Sequence, residues 1–200
     1  LPGAERPDVL ALVNPRRPDS SYPFPELCGA GLAWKLGLAL LGAMGKGDHY
    51  AWHLLDLAAL ATVADLVPLT GENRVIVKLG LKVMKATRWP GLAALIHAAG
   101  LGGKTIRAAQ VAFTLGPRIN AVGRVGDAND GLRLLLSDDV TEAGTLAAQL
   151  ERQNAERQAL DQKTLDEALE ALARDYDPGS DVGVVLAKEG WHPGVIGIVA

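Results

Sequence analysis

Residues 141–174 contain no proline and a single glycine, Gly144, and they set Leu146, Leu150, Leu160, Leu165, Leu169 and Leu172 on one stripe with charges elsewhere. The spacing predicts one helix of roughly 30 residues, ~45 Å long at 1.5 Å per residue, which exceeds what a compact domain of this size requires. A rod of that length is expected to connect two domains. The chain has 200 residues, 48% of them hydrophobic, but only two Phe, three Tyr and four Trp, so its core must come largely from Leu, Ala and Val.

The flanking segments predict elements of both kinds. Val9-Leu10-Ala11-Leu12-Val13 is a β-prone run closed by Asn14-Pro15, the pattern of a short strand buried on both faces. A loop rich in Pro and Asp follows to about Pro25. Helices are expected over 26–44, where Gly29 and Gly31 allow close approach to a neighbour, and over 50–62. Pro68 forbids simple continuation of the second, which places Asp65 at an element boundary. A helix over 72–85 is expected to bury Val75, Leu79 and Val83 or Met84, with Lys78, Lys82 and Lys85 opposite. Shorter helices are expected over 90–99 and 106–113. Gly116-Pro117-Arg118-Ile119-Asn120-Ala121-Val122-Gly123-Arg124 breaks the periodicity and predicts a loop. Beyond Asp177-Pro178-Gly179-Ser180, residues 182–187 read as a buried strand, then a tight turn and a helix starting near Pro193. The expected fold class is α/β.

A net charge of −3 and a pI near 5.8 give no global reason to expect nucleic acid, so any polyanion binding must come from local Arg and Lys. The single cysteine, Cys28, cannot form an internal disulfide, and no Cys/His cluster has zinc spacing. A reducing compartment is expected, with Cys28 a small buried side chain. The apolar stretches 31–44 and 54–69 are interrupted by Lys35, Asp56 and Asp65, short of the ~20 charge-free residues a bilayer requires, so no membrane span is expected. Leu1-Pro2-Gly3 resembles neither a basic leader nor an apolar signal core, and the chain is expected to be an internal segment of a longer protein.

Three constellations carry chemistry. Asp65 is a lone carboxylate in apolar surroundings, Ala61 to Leu69; it reads either as a capping aspartate ahead of Pro68 or as a metal ligand whose partners lie elsewhere. Arg118, Asn120 and Arg124, between Gly116 and Gly123, have the makings of a phosphate cradle, against the plainer reading of a surface loop with two solvated arginines. Gly190-Trp191-His192-Pro193-Gly194 precedes an apolar helix and offers an anion site beside His192, or else a core Trp and a turn His. His49, His53 and His97 are unclustered, and no Ser-His-Asp order, Walker loop or HExxH helix occurs.

Taken in order, Leu1-Pro2-Gly3, Val13-Asn14-Pro15-Arg16-Arg17-Pro18, Leu27-Cys28-Gly29-Ala30-Gly31-Leu32-Ala33-Trp34-Lys35, Ala61 to Leu69, Gly116 to Arg124 and Trp191 to Ala200 resemble the middle of RecJ-type single-stranded-DNA exonucleases of the DHH phosphoesterase superfamily. The resemblance implies the C-terminal part of a DHH catalytic domain over 1–138, a connector helix over 139–176, and the beginning of a DHH-associated α/β domain over 177–200. It implies that Asp65 is a metal-binding and catalytic aspartate, whose partners are aspartates and histidines of upstream motifs. Arg118, Asn120, Arg124, His192 and Gly194 are implied to bind substrate, with Trp191 in the same motif as the last two.

The implied activity is hydrolysis of single-stranded DNA from the 5′ end to mononucleotides, with two divalent ions, manganese or magnesium, in DNA repair and recombination. Single-stranded DNA, single-strand-binding protein and a helicase are the implied partners, and the cytoplasm the implied location. The connector's Arg152 and Arg157 either line a strand passage or form a solvated face. Two other functions stand beside this one. A DHH phosphoesterase acting on short oligonucleotides, cyclic dinucleotides or pyrophosphate fits the metal aspartate, and a non-catalytic DNA-binding scaffold fits the fold.

Overall fold

A computed structural model describes residues 8–177, 179 and 182–200. It contains ten α-helices among them: α1 (Gly29–Ala43), α2 (His49–His53), α3 (Leu55–Ala64), α4 (Gly71–Met84), α5 (Pro90–Ala98), α6 (Ala108–Gln110), α7 (Gly116–Val125), α8 (Ala128–Leu136), α9 (Val140–Asp175) and α10 (Pro193–Val199). A π-helical turn, Val111–Leu115, leads into α7. The chain forms two compact units, Leu1–Arg88 with Ala99–Gly116, and Trp89–Ala98 with Pro117–Ala200.

In the first unit α3 is the axis, with Leu55, Asp56, Ala58, Ala59, Leu60, Thr62 and Val63 all buried. Helix α4 packs against it through Gly80, where any Cβ would run into the Leu55 carbonyl and the Ala59 methyl. That close approach sets the phase of α4. Ile76, Val77, Gly80 and Met84 are buried while Val75 is 55% exposed, so the face expected from Val75 and Leu79 is rotated by about one residue. Tyr22, Phe24, Leu32 and Trp34 close the core around Leu27, Leu55 and Ile76. Cys28 is buried as expected and caps α1, its Sγ accepting a bond from the Gly31 amide at 3.4 Å. Buried Asp56, in the first turn of α3, accepts bonds from Thr87 Oγ1 at 2.6 Å and the Leu57 amide at 2.8 Å.

In the second unit α9 spans 36 residues, ~54 Å. Asp139 caps it by accepting from the Glu142 amide at 2.7 Å. Its first half buries Ala143, Leu146, Ala147 and Leu150 against α5 and α8. Its second half receives α10, held by the Trp191 indole, which donates to Glu167 at 2.7 Å, and by Lys188, 3.0 Å from the same carboxylate.

Two expectations are corrected. No strand forms among the described residues, so the α/β class is not what they display. The runs at 9–13 and 182–187 are irregular and largely exposed, with Leu10, Val182 and Val185 fully so, because a strand needs neighbours to take its backbone donors and acceptors and none is adjacent. The segment Gly116 to Arg124 is helix, not loop. A proline at 117 clashes with the carbonyl four residues back in a regular α-helix, and the widened turn just before it relieves that clash. Of the motifs, Leu1-Pro2-Gly3 and parts of Asp177-Pro178-Gly179-Ser180 lie outside the described residues.

Candidate functional site

Asp65 is the C-cap of α3, its amide donating to the Ala61 carbonyl at 2.9 Å. The next residue, Leu66, has φ +55°, a left-handed conformation that costs a non-glycine residue about 1–2 kcal/mol. Its side chain is 83% exposed, so no packing at that side chain repays the strain. The turn sends the chain away from α3 and leaves the Asp65 carboxylate exposed, without a hydrogen bond or ion pair to any described residue. Behind the turn lies Asn73 of α4, fully buried, whose Nδ2 donates to the Pro68 carbonyl at 3.0 Å and to the Glu26 carbonyl at 2.7 Å. Gly116 stands against Ala64, at whose Cβ a methyl on residue 116 would arrive within 3.3 Å.

Beside this turn a second polar group ties the loop 14–25 to α1 and α4. Glu72 accepts from Tyr22 Oη at 2.7 and 2.9 Å and from Lys35 Nζ at 2.7 Å, and that ammonium lies 5.5 Å from the Tyr22 ring centroid. Burial pushes the Glu72 carboxyl up, but the bonds from Lys35 and Tyr22 outweigh it and hold the group below the usual carboxylate range. Its bond to Glu72, and then its contact with Tyr22, hold Lys35 above its ordinary value.

Arg118, Asn120 and Arg124 all lie on α7, in the second unit. Arg118 is forked onto Glu151 of α9 by bonds of 2.5 and 3.0 Å, so a phosphate there must compete with a carboxylate already in place. Asn120 is exposed. Arg124 is exposed and gives Nη1 to the Gly194 carbonyl at 2.9 Å. Gly194 in turn packs on the Arg124 backbone so closely that a Cβ would strike its carbonyl. His192 is the N-cap of α10, its Nδ1 accepting from the Gly194 amide at 3.1 Å. The structure therefore brings Arg124, His192 and Gly194 together, Arg124 and Gly194 by direct contact. Trp191 is drawn to α9, where its indole and then Lys188 hold the Glu167 carboxyl below the usual range.

Sequence reasoning passed over Asn73, Glu72 and Glu151. Glu-Asn at 72–73 opens an amphipathic helix and has the look of a solvated first turn; only the position of Pro68, five residues earlier, hints at an inward role for Asn73.

For divalent ions the chemistry of Asp65 fits: an exposed carboxylate with both oxygens available suits manganese or magnesium, and the C-terminal end of α3 adds a negative field. Among the described residues no group of three or more His, Cys, Asp or Glu converges, so Asp65 fits as one ligand of a larger set.

No protein-family model matches the chain. Among curated proteins it is 46% identical over 200 residues to the single-stranded-DNA-specific exonuclease RecJ of Bacillus subtilis, which covers all of the chain and 24% of that protein. It is 39% identical over 215 residues to the RecJ of Escherichia coli, again over the whole chain and 37% of the relative. The chain thus spans about a quarter to a third of the length of the curated relatives it matches. The crystal structure of Thermus thermophilus RecJ in complex with Mn2+ superposes with a TM-score of 0.84 at 40% identity, covering the whole chain and 29% of that structure. A crystal structure of exonuclease RecJ bound to manganese gives 0.83 at 41%, covering 100% and 49%. Over its whole length, in sequence and in fold, the chain is similar to one part of the RecJ exonucleases.

Proposed function

We propose that this chain contributes a metal-binding aspartate and a substrate-facing helix to an exonuclease that degrades single-stranded DNA from the 5′ end to mononucleotides. One observation carries the reading: a chain matched throughout to proteins named single-stranded-DNA-specific exonucleases presents Asp65 exposed and unpaired at the end of a buried helix. Asp65 holds one position on a divalent ion, manganese or magnesium, and further ligands from a protein of its relatives' length complete a two-ion site. The chemistry supplied by such ions is activation of water and neutralisation of charge at the scissile phosphate.

The chain's own residues hold and orient. Arg124, exposed on α7, offers forked donors to a phosphate while one of its N–H groups fixes it to α10. Arg118 already commits two of its N–H groups to Glu151, so it contributes less. His192 and Gly194 act through the backbone at the start of α10, where Nδ1 of His192 is already engaged. Asn120 faces solvent at the middle of α7. A role in DNA repair and recombination in the cytoplasm, alongside single-strand-binding protein and a helicase, follows from the family resemblance.

The test is Asp65→Ala in a protein of its relatives' length that contains this chain. Metal-dependent cleavage should disappear while single-stranded DNA binding persists, because phosphate contacts are spread along a groove. Undiminished turnover removes Asp65 from the site.

A further inference from the structure

The turn that presents Asp65 is held from behind by one buried side chain. The two hydrogens on Asn73 Nδ2 are directed at two backbone carbonyls far apart in sequence, Glu26 at 2.7 Å and Pro68 at 3.0 Å. The first lies just ahead of α1; the second lies three residues past Asp65. Asn73 Oδ1 is buried with no hydrogen-bond partner among the described residues, an unfavourable condition that an apolar residue avoids. The amide therefore acts here through its two donated bonds. Leu66, with φ +55° beside Asp65, is a strained conformation of the kind that persists when its surroundings over-determine it. The Asn73 bridge is such a constraint on one side of the turn, and the seating of Ala64 against Gly116 is another.

We propose that Asn73 is a positioning residue for Asp65: by joining the Glu26 and Pro68 carbonyls, it locks the turn that aims the carboxylate at a divalent cation. The proposal rests on the reading of Asp65 as a metal ligand. It places Asn73 one step behind the ligand, where it touches neither metal nor DNA.

The experiment compares Asn73→Ala, Asn73→Ser, Ile76→Val and Asp65→Asn in a protein of its relatives' length that contains this chain, by titration with manganese alone, by turnover of single-stranded DNA and by thermal midpoint. Groups that orient metal ligands typically change affinity or activity about 10–100-fold, and Asn73→Ala should weaken manganese binding by that amount. It should lower kcat while KM for DNA changes less than about twofold. Asn73→Ser, with a single donor, should fall between Asn73→Ala and the unaltered protein. Ile76→Val trims a buried side chain on the same helix and should lower the midpoint with manganese affinity unmoved. Asn73→Ala binding manganese as the unaltered protein does overturns the proposal, and so does an equal loss of affinity in Ile76→Val. Should Asn73→Ala not fold, Asn73→Ser decides on the same criterion. Amide exchange decides independently: at Asp65 and Leu66, whose N–H groups donate to the Ala61 and Val63 carbonyls, exchange should be slow in the unaltered protein and faster in Asn73→Ser, and equal exchange in the two overturns the lock. Asp65→Asn keeps the two readings apart. If it leaves manganese affinity intact, the reading of Asp65 itself fails; if it abolishes binding while Asn73→Ala does not, only the positioning role fails.

Discussion

Glu72, Tyr22 and Lys35 show how much of this chain's polar chemistry is structural. Glu72 is depressed on folding, so its contribution is present above the unfolded carboxylate pKa of about 4.3 and is lost as pH falls through the lower folded value. Lys35 is raised, so its contribution is complete below the unfolded lysine pKa of about 10.4 and is lost as pH rises through the higher folded value. With Lys35 and Glu72 side chains 37% and 32% exposed, solvent screening keeps the ion pair within the surface range of about 0.2–1 kcal/mol. Glu72→Gln should therefore flatten both arms of the stability profile, measured as urea midpoints from pH 2 to 6 and from pH 9 to 12. Parallel curves for the two proteins at both ends would show that the pair does not stabilise the fold.

At the scale of elements, the periodic segments were legible and the punctuated ones were not. The α9 helix was readable because its leucine stripe and the lack of proline point the same way, and the end of α3 was readable from Pro68. Helix α4 was located but mis-phased, since Gly80 carries no hydrophobic signal although it decides which face meets α3. The Gly-Pro pair at 116–117 read as a break because a proline inside an α-helix ordinarily is one; the π-helical turn that absorbs it has no sequence signature. Asp65 was legible as a boundary residue, whereas its support was not, because an asparagine at the start of an amphipathic helix looks solvated until the loop folds over it. The widened turn and its contact give a prediction at this scale. Gly116→Val must place side-chain atoms where Ala64 and the Val111 carbonyl already lie, 3.3 and 3.1 Å from a Cβ. Overpacking of this kind should lower stability by about 1–3 kcal/mol in denaturant titration. An unchanged midpoint would mean that the π-helical turn shifts register at no cost.

For the molecule as a whole, charge and ligand count set the limits. A net charge of −3 provides no field that gathers a polyanion, so any DNA binding would have to come from local groups; Arg124 is exposed, whereas Arg118 is already paired with Glu151. Asp65 likewise stands without companions, because the described residues bring no third His, Cys, Asp or Glu into any ligand cluster. A hard divalent ion takes about six oxygen ligands, and one carboxylate replaces too little of its water shell to hold it. The 200-residue chain by itself should therefore bind manganese more weakly than about 10⁻³ M, the weak end for oxygen-ligand sites built from several carboxylates. It should also leave single-stranded DNA intact. Both are read on the purified chain, by titrating manganese against its intrinsic tryptophan fluorescence and by incubating it with end-labelled single strands in millimolar manganese. Saturable micromolar binding, or cleavage that co-purifies with the folded chain and vanishes in Asp65→Ala, would mean that residues within this chain complete the site around Asp65 after all.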